Sequence, residues 1–115
     1  MVLALTTSDP EDENYEPLRD NLDRLRMEKD ARGHPLEVIP IEQPEPEWKD
    51  DTRLAMSYIN FYLPNGGVVM PAFDDPERDQ AAKETLQRVF PDRKVVQIPA
   101  MDIVWGGGGI HCITQ

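Results

Sequence analysis

The sequence predicts an α/β fold built from repeated strand–helix modules, and three observations carry that reading. A strand–helix–strand run fills residues 1–41, and a proline-bearing polar loop follows at 42–53. A strand, a hairpin, a second strand, a helix and a further strand then occupy residues 54–115. Two copies of a ββαβ pattern, the first lacking its opening strand, are what a repeat architecture cut partway through would show.

In the first module, Val2-Leu3-Ala4-Leu5-Thr6 is a short apolar run of buried-strand type. Ser8-Asp9-Pro10-Glu11-Asp12-Glu13-Asn14 is punctuated by proline and Asx residues, and its negative charge suits the start of a helix. Tyr15, Leu18, Leu22 and Leu25 form one helical face, with Arg19, Asp20, Asp23, Arg24 and Arg26 on the other. Gly33 is expected to end this helix in the C′ position, and Pro35 forbids its continuation. Leu36 to Ile41 reads as the second strand.

In residues 42–53 two prolines and dense charge leave only Trp48 as an apolar anchor, so the loop is expected to be a surface excursion rather than a functional flap. Leu54 to Leu63 is aromatic-rich and reads as a strand by composition. Asn65-Gly66-Gly67 signals a two-residue type I′ hairpin, with Val68-Val69-Met70 as the returning strand. Asp75 is the expected N-cap and Pro76 the first residue of a helix whose apolar face carries Ala82, Leu86, Val89 and Phe90. Lys94 to Ile98 is the next strand, and Ile103-Val104 is expected to open another.

At 115 residues and net charge -10 the chain is one domain at most. Its acidity argues against nucleic acid and anionic membranes and is compatible with a cationic substrate. A single cysteine excludes an internal disulfide and fits a reducing compartment. No apolar run approaches a membrane span and no leader pattern opens the chain, so a cytoplasmic protein is the expectation.

The most unusual segment comes last: Gly106-Gly107-Gly108-Gly109-Ile110-His111-Cys112-Ile113-Thr114-Gln115. A glycine run serves close backbone approach or turns with φ > 0. Cys112 is either a small buried hydrophobe or a nucleophile whose pKa is depressed. A metal site is not expected, because His111 and Cys112 are adjacent and His34 lies far up the chain. The segment's place at the very end predicts a piece of a longer protein.

Met56-Ser57-Tyr58-Ile59-Asn60-Phe61-Tyr62, Asn65 to Pro71, Phe90-Pro91-Asp92-Arg93 and the terminal glycine–histidine–cysteine motif together resemble the agmatine deiminases and the bacterial-type peptidyl-arginine deiminases. The resemblance runs nearly end to end, including Asp9-Pro10-Glu11-Asp12 and Gly33-His34-Pro35. It implies the pentein fold, a fivefold pseudo-symmetric α/β propeller, of which this chain would form roughly the last two ββαβ modules. Cys112 is then the implied nucleophile, which attacks the guanidinium carbon and expels ammonia. Gly107, Gly108 and Gly109 are the implied substrate-binding backbone; the family usually carries asparagine at the position of Gly109. The family's acid–base histidine and guanidinium-binding carboxylates match positions upstream of Met1, and His111 is not that histidine.

Agmatine is the expected substrate of the parent protein, with arginine in peptides as the alternative. No metal or organic cofactor is implied. Alone, the chain is expected to be inactive and to self-associate or fold upon itself, with Tyr58, Phe61, Val68 and Val69 on or near exposed surface. A stand-alone α/β binding module without chemistry is the reading from a different class.

Overall fold

The computed structural model describes residues 2–49, 51–54 and 56–105, with only the backbone described at 49, 52, 104 and 105. The chain divides into two compact units, Met1–Glu42 and Gln43–Gln115.

The first unit is a βαβ element: β1 (Val2–Thr6), α1 (Tyr15–Met27) and β2 (Val38–Glu42). The strands run parallel, in register from Val2 opposite Val38 to Thr6 opposite Glu42. α1 packs on both strands and buries Leu22, with Tyr15, Leu18 and Leu25 half-buried along the expected stripe. The acidic stretch before it folds as successive Asx turns, with Asp9 Oδ1 accepting from Glu11 N at 3.0 Å and Asp12 Oδ1 from Asn14 N at 2.8 Å. Pro17 is harmless in the first turn, where backbone N–H groups have no helical acceptor anyway.

Gly33 does not end this helix. α1 stops at Met27, and Glu28 is already extended with ψ 159°. Asp30 captures the chain instead: its Oδ1 accepts from Arg32 N at 2.8 Å and from His34 N at 2.9 Å. An aspartate that offers such local bonds competes with the helix for the backbone. Gly33, at φ 81°, serves that turn.

The second unit begins with the segment expected to be pure loop, which contains a two-residue antiparallel ladder of β3 (Trp48–Lys49) and β4 (Thr52–Arg53). β5 (Gly67–Ala72), α2 (Pro76–Val89) and β6 (Lys94–Pro99) then form a second parallel βαβ element, registered from Gly67 opposite Lys94 to Ala72 opposite Pro99. Ala82 and Leu86 of α2 are buried, as are Val68 and Met70 of β5 and Val95 of β6. Each fully buried aliphatic side chain is worth roughly 1.5–3 kcal/mol.

Four further sequence expectations fail in this unit. Leu54 to Leu63 is not a strand; its one β contact among the described residues is the isolated antiparallel bridge of Tyr62 to Val69. The cause is Tyr58, which turns inward and is 0% exposed while a turn closes through Asn60 N to Ser57 O at 3.2 Å. Tyr58 and Val68 are therefore core residues, not surface ones, and Phe61 and Val69 are half-buried. The glycine turn is not type I′ either. Gly67 N donates to Pro64 O at 3.1 Å, and of the two central residues only Gly66 has positive φ, 75°, which is the type II pattern. Finally, Ile103 and Val104 lie in a short helix, α3 (Met101–Trp105), rather than opening a strand.

Candidate active site

The sequence singled out Cys112 with Gly107, Gly108 and Gly109, and these lie outside the described residues, as does His111. The structure describes the path that leads to them. β6 ends at Pro99, Ala100 is fully buried, and α3 carries the chain to Trp105, seven positions before Cys112 (105 to 112). This path leaves from the C-terminal ends of two parallel strands, where open α/β sheets place their ligand crevices.

Those strand ends are fixed by one carboxylate. Asp79, in the first turn of α2, is only 9% exposed. Its Oδ1 accepts from the Tyr58 hydroxyl at 2.6 Å and from Phe73 N at 3.0 Å, and its Oδ2 accepts from Asp75 N at 3.2 Å. Phe73 and Asp75 flank Asp74, which has φ 58°. Left-handed backbone is uncommon outside glycine but is tolerated several-fold better by aspartate than by most residues. Here it turns the N–H groups on either side toward the same carboxylate.

The Ala72–Phe73 peptide is thus held on both sides. Its N–H goes to Asp79, and its C=O accepts from Ala100 N at 2.9 Å, the residue that precedes α3. Gln97 of β6 adds a further tie, donating from Nε2 to Pro71 O at 3.1 Å and to the Asp79 backbone O at 2.9 Å. The Tyr58 ring also packs on Phe73, centroids 5.3 Å apart. Burial and the bond to Asp79 push the Tyr58 phenol far above its ordinary range, so it acts as a donor and not as a base.

The start of α2 carries a second, more exposed group of charges. Asp75 caps the helix, its Oδ1 accepting from Arg78 N at 3.3 Å, while its Oδ2 accepts from Glu45 N at 3.0 Å. Arg78 also pairs with the Glu45 carboxylate, which fastens the segment after Gln43 to the helix. Burial pushes the Asp75 carboxyl up, but hydrogen bonds from the Glu45 and Arg78 backbones and the Arg78 guanidinium outweigh it and hold it below the ordinary range. At the opposite end of the sheet, Arg93 Nη1 donates to Pro64 O at 2.8 Å and Gly67 O at 3.1 Å, fixing the glycine turn. Among the described residues no group of histidine, cysteine, aspartate and glutamate is arranged to hold a metal ion.

Sequence reasoning missed Asp79, although a signal was present. Asp79, Ala82 and Leu86 stand at offsets of three and seven on one stripe of α2, so an aspartate occupies a core-facing position. Such a residue requires buried partners.

The family model described as Porphyromonas-type peptidyl-arginine deiminase matches residues 1–115. A Legionella pneumophila (strain Paris) protein, provisionally named an agmatine deiminase, is 48% identical over 114 residues, which are 99% of this chain and 33% of that protein. A solved structure from Porphyromonas gingivalis, provisionally called an arginine deiminase, superposes with TM-score 0.93 at 31% identity, covering 98% of this chain and 33% of that one. The agmatine deiminase of Enterococcus faecalis superposes with TM-score 0.87 at 32% identity, over 98% of this chain and 35% of its own. The chain spans about a third of the length of the curated relatives that it matches. Its α/β architecture is that of the solved deiminases, and the chain belongs to the Porphyromonas-type peptidyl-arginine deiminase family.

Proposed function

We propose that this chain supplies the nucleophile-bearing third of a guanidine deiminase, with agmatine as substrate and N-carbamoylputrescine and ammonia as products. The observation that carries this reading is the family match across all 115 residues, through the terminal glycine–histidine–cysteine motif. In the proposed reaction the Cys112 thiolate attacks the guanidinium carbon and one C–N bond breaks to release ammonia. Water then cleaves the C–S bond of the amidino-thioether, which gives the ureido product and restores the thiol. The step balances without a redox partner or organic cofactor. Gly107, Gly108 and Gly109 would bring backbone close to the bound guanidinium, where side chains would intrude.

A histidine to protonate ammonia and activate water, and carboxylates to orient the guanidinium, are required as well. We assign these to the remaining two-thirds of the parent, which would complete the five-module propeller. The isolated 115-residue chain is then inactive, and its strand edges and exposed Ile59, Leu63 and Val96 support self-association. The single cysteine supports a reducing, cytoplasmic setting.

The family description favours a second substrate, arginine within a peptide. Both are tested by assaying the full-length protein and its Cys112→Ala variant on agmatine, free arginine and an arginyl peptide, with detection of ureido product. Turnover of agmatine that the variant loses by several orders of magnitude is the expected result. Turnover retained by the alanine variant overturns the covalent mechanism. Turnover of the peptide alone overturns agmatine as substrate, and no turnover of any of the three favours a binding module.

A further inference from the structure

We propose that Asp79, with Tyr58 as its buried partner, is a positioning residue for the deimination reaction: through the Ala72–Phe73 peptide it sets the point from which α3 leaves the sheet toward Cys112. The inference rests on the nucleophile reading above. Its basis is the chain of bonds in the described residues. The Asp79 carboxylate fixes Phe73 N, the same peptide's carbonyl fixes Ala100 N, and Ala100 directly precedes α3. Ala100 N extends the β5–β6 ladder by one bond, and the carbonyl that it meets belongs to the peptide that Asp79 holds, so Asp79 bears on the placement of α3.

The bonding needs two acceptor oxygens on one side chain. Both Asp79 oxygens accept, Oδ1 from two donors and Oδ2 from a third. An asparagine could keep one of these oxygens, but its NH2 would then face either Asp75 N–H or the pair of Tyr58 O–H and Phe73 N–H, donor against donor. In the second orientation the Ala72–Phe73 peptide loses its clamp outright, and in the first the donor–donor clash at Asp75 N–H pushes the amide, and with it the Phe73 bond, out of place, while Ala82 and Leu86 stay buried. A displacement of about 1 Å in a reacting group can cost on the order of 100-fold in rate. A network that looks like core support would therefore be felt in turnover.

The experiment compares Asp79→Asn, Tyr58→Phe and Leu86→Ala in the full-length protein, below the melting temperature of each. Leu86→Ala removes core contacts at a buried residue that makes none of the clamp's hydrogen bonds. Two quantities are read per folded molecule: kcat and KM on whichever of the three guanidino substrates the wild type turns over, and the rate at which iodoacetamide alkylates Cys112, followed on its own peptide by mass spectrometry. Asp79→Asn is expected to lower kcat about tenfold or more with KM nearly unchanged, and to change the alkylation rate at least about threefold. Tyr58→Phe should give a smaller loss in the same direction, because the bonds to Phe73 and Asp75 remain. Leu86→Ala should lose thermal stability and keep kcat.

The proposal is overturned if Asp79→Asn retains both kcat and alkylation rate, or if Leu86→Ala loses kcat to the same degree. Full turnover in Cys112→Ala sinks the nucleophile reading instead, and does so whatever the clamp variants show.

Discussion

Tyr58 and Asp79 are joined by a hydrogen bond of 2.6 Å between an irregular segment and the first turn of a helix. The pair explains why residues rich in strand-forming side chains do not form a strand. A tyrosine in a half-buried strand would place its ring on one face and leave its hydroxyl near water. Here the whole side chain is buried against Phe73, which is favourable only because a carboxylate accepts a hydrogen bond from the hydroxyl.

Tyr58→Phe is therefore expected to destabilise the second unit. A hydrogen bond to a charged group contributes about 1.5–3 kcal/mol, and the substitution leaves the carboxylate one donor short in a buried site. At about 4–8 °C per kcal/mol for a domain of this size, the melting temperature should fall on the order of 10 °C. Thermal unfolding of wild type and variant checks this, and an unchanged midpoint would mean that the bond is replaceable.

The same pair predicts a response to alkali. The Tyr58 phenol has its pKa raised in the folded chain by burial first and by the bond to Asp79 second. An unfolded tyrosine ionises near about pH 10. The stabilisation is then fully present below that pH and is lost as pH rises above it, because only the unfolded chain readily releases this proton. Denaturant melts between about pH 9 and 11.5 should show a steeper loss in wild type than in Tyr58→Phe. Equal slopes would show that Tyr58 ionises within the folded state.

Asp75 should dominate a different limb. Hydrogen bonds from Glu45 N and Arg78 N and the Arg78 guanidinium overcome the opposing effect of burial and lower its pKa. A lowered carboxyl stabilises the fold above the unfolded value, about 3.9, and that contribution disappears as pH falls through the folded value. Asp75→Asn should flatten the acid limb of stability between about pH 5 and 2, and the variant and wild type should converge at the acid end. Parallel curves would assign the acid sensitivity elsewhere, with Asp30 the next carboxylate to test, since its pKa is also lowered, by backbone bonds from His34 and Arg32.

Much of this architecture was legible in the residues. Apolar periodicity located α1 and α2, the Asp75-Pro76 pair located the start of α2, and short apolar runs located β1, β2, β5 and β6. Two of the misreadings share a cause: a side chain formed bonds that the helix or strand pattern does not anticipate. Asp30 ended α1 early through its own backbone turn, and Tyr58 left a strand pattern for a carboxylate 21 residues away. The candidate site was legible in a different way. Cys112 stands out in the sequence as the candidate nucleophile by its motif, whereas Asp79 carries no motif and is marked in the sequence only by its place on the core-facing stripe of α2.

The glycine turn before β5 offers the sharpest contrast between sequence and structure. A type I′ turn would need positive φ at both Asn65 and Gly66, but only Gly66 has it, at 75°. A Cβ placed on Gly66 would meet nothing within 4 Å, so the cost of Gly66→Ala is that of the backbone conformation alone, about 1–2 kcal/mol. Gly67 is different. Its φ lies outside the left-handed range, and an added Cβ would sit 3.4 Å from Lys94 O and 3.5 Å from the Pro64 ring. Gly67→Ala should be neutral or should stabilise by about 0.4–1 kcal/mol, because the unfolded chain loses freedom and the folded chain is not strained. Denaturant melts of the two single variants decide the matter: Gly66→Ala below wild type and Gly67→Ala at or above it supports the turn described here, whereas the reverse order would mean that the chain turns about Gly67 instead.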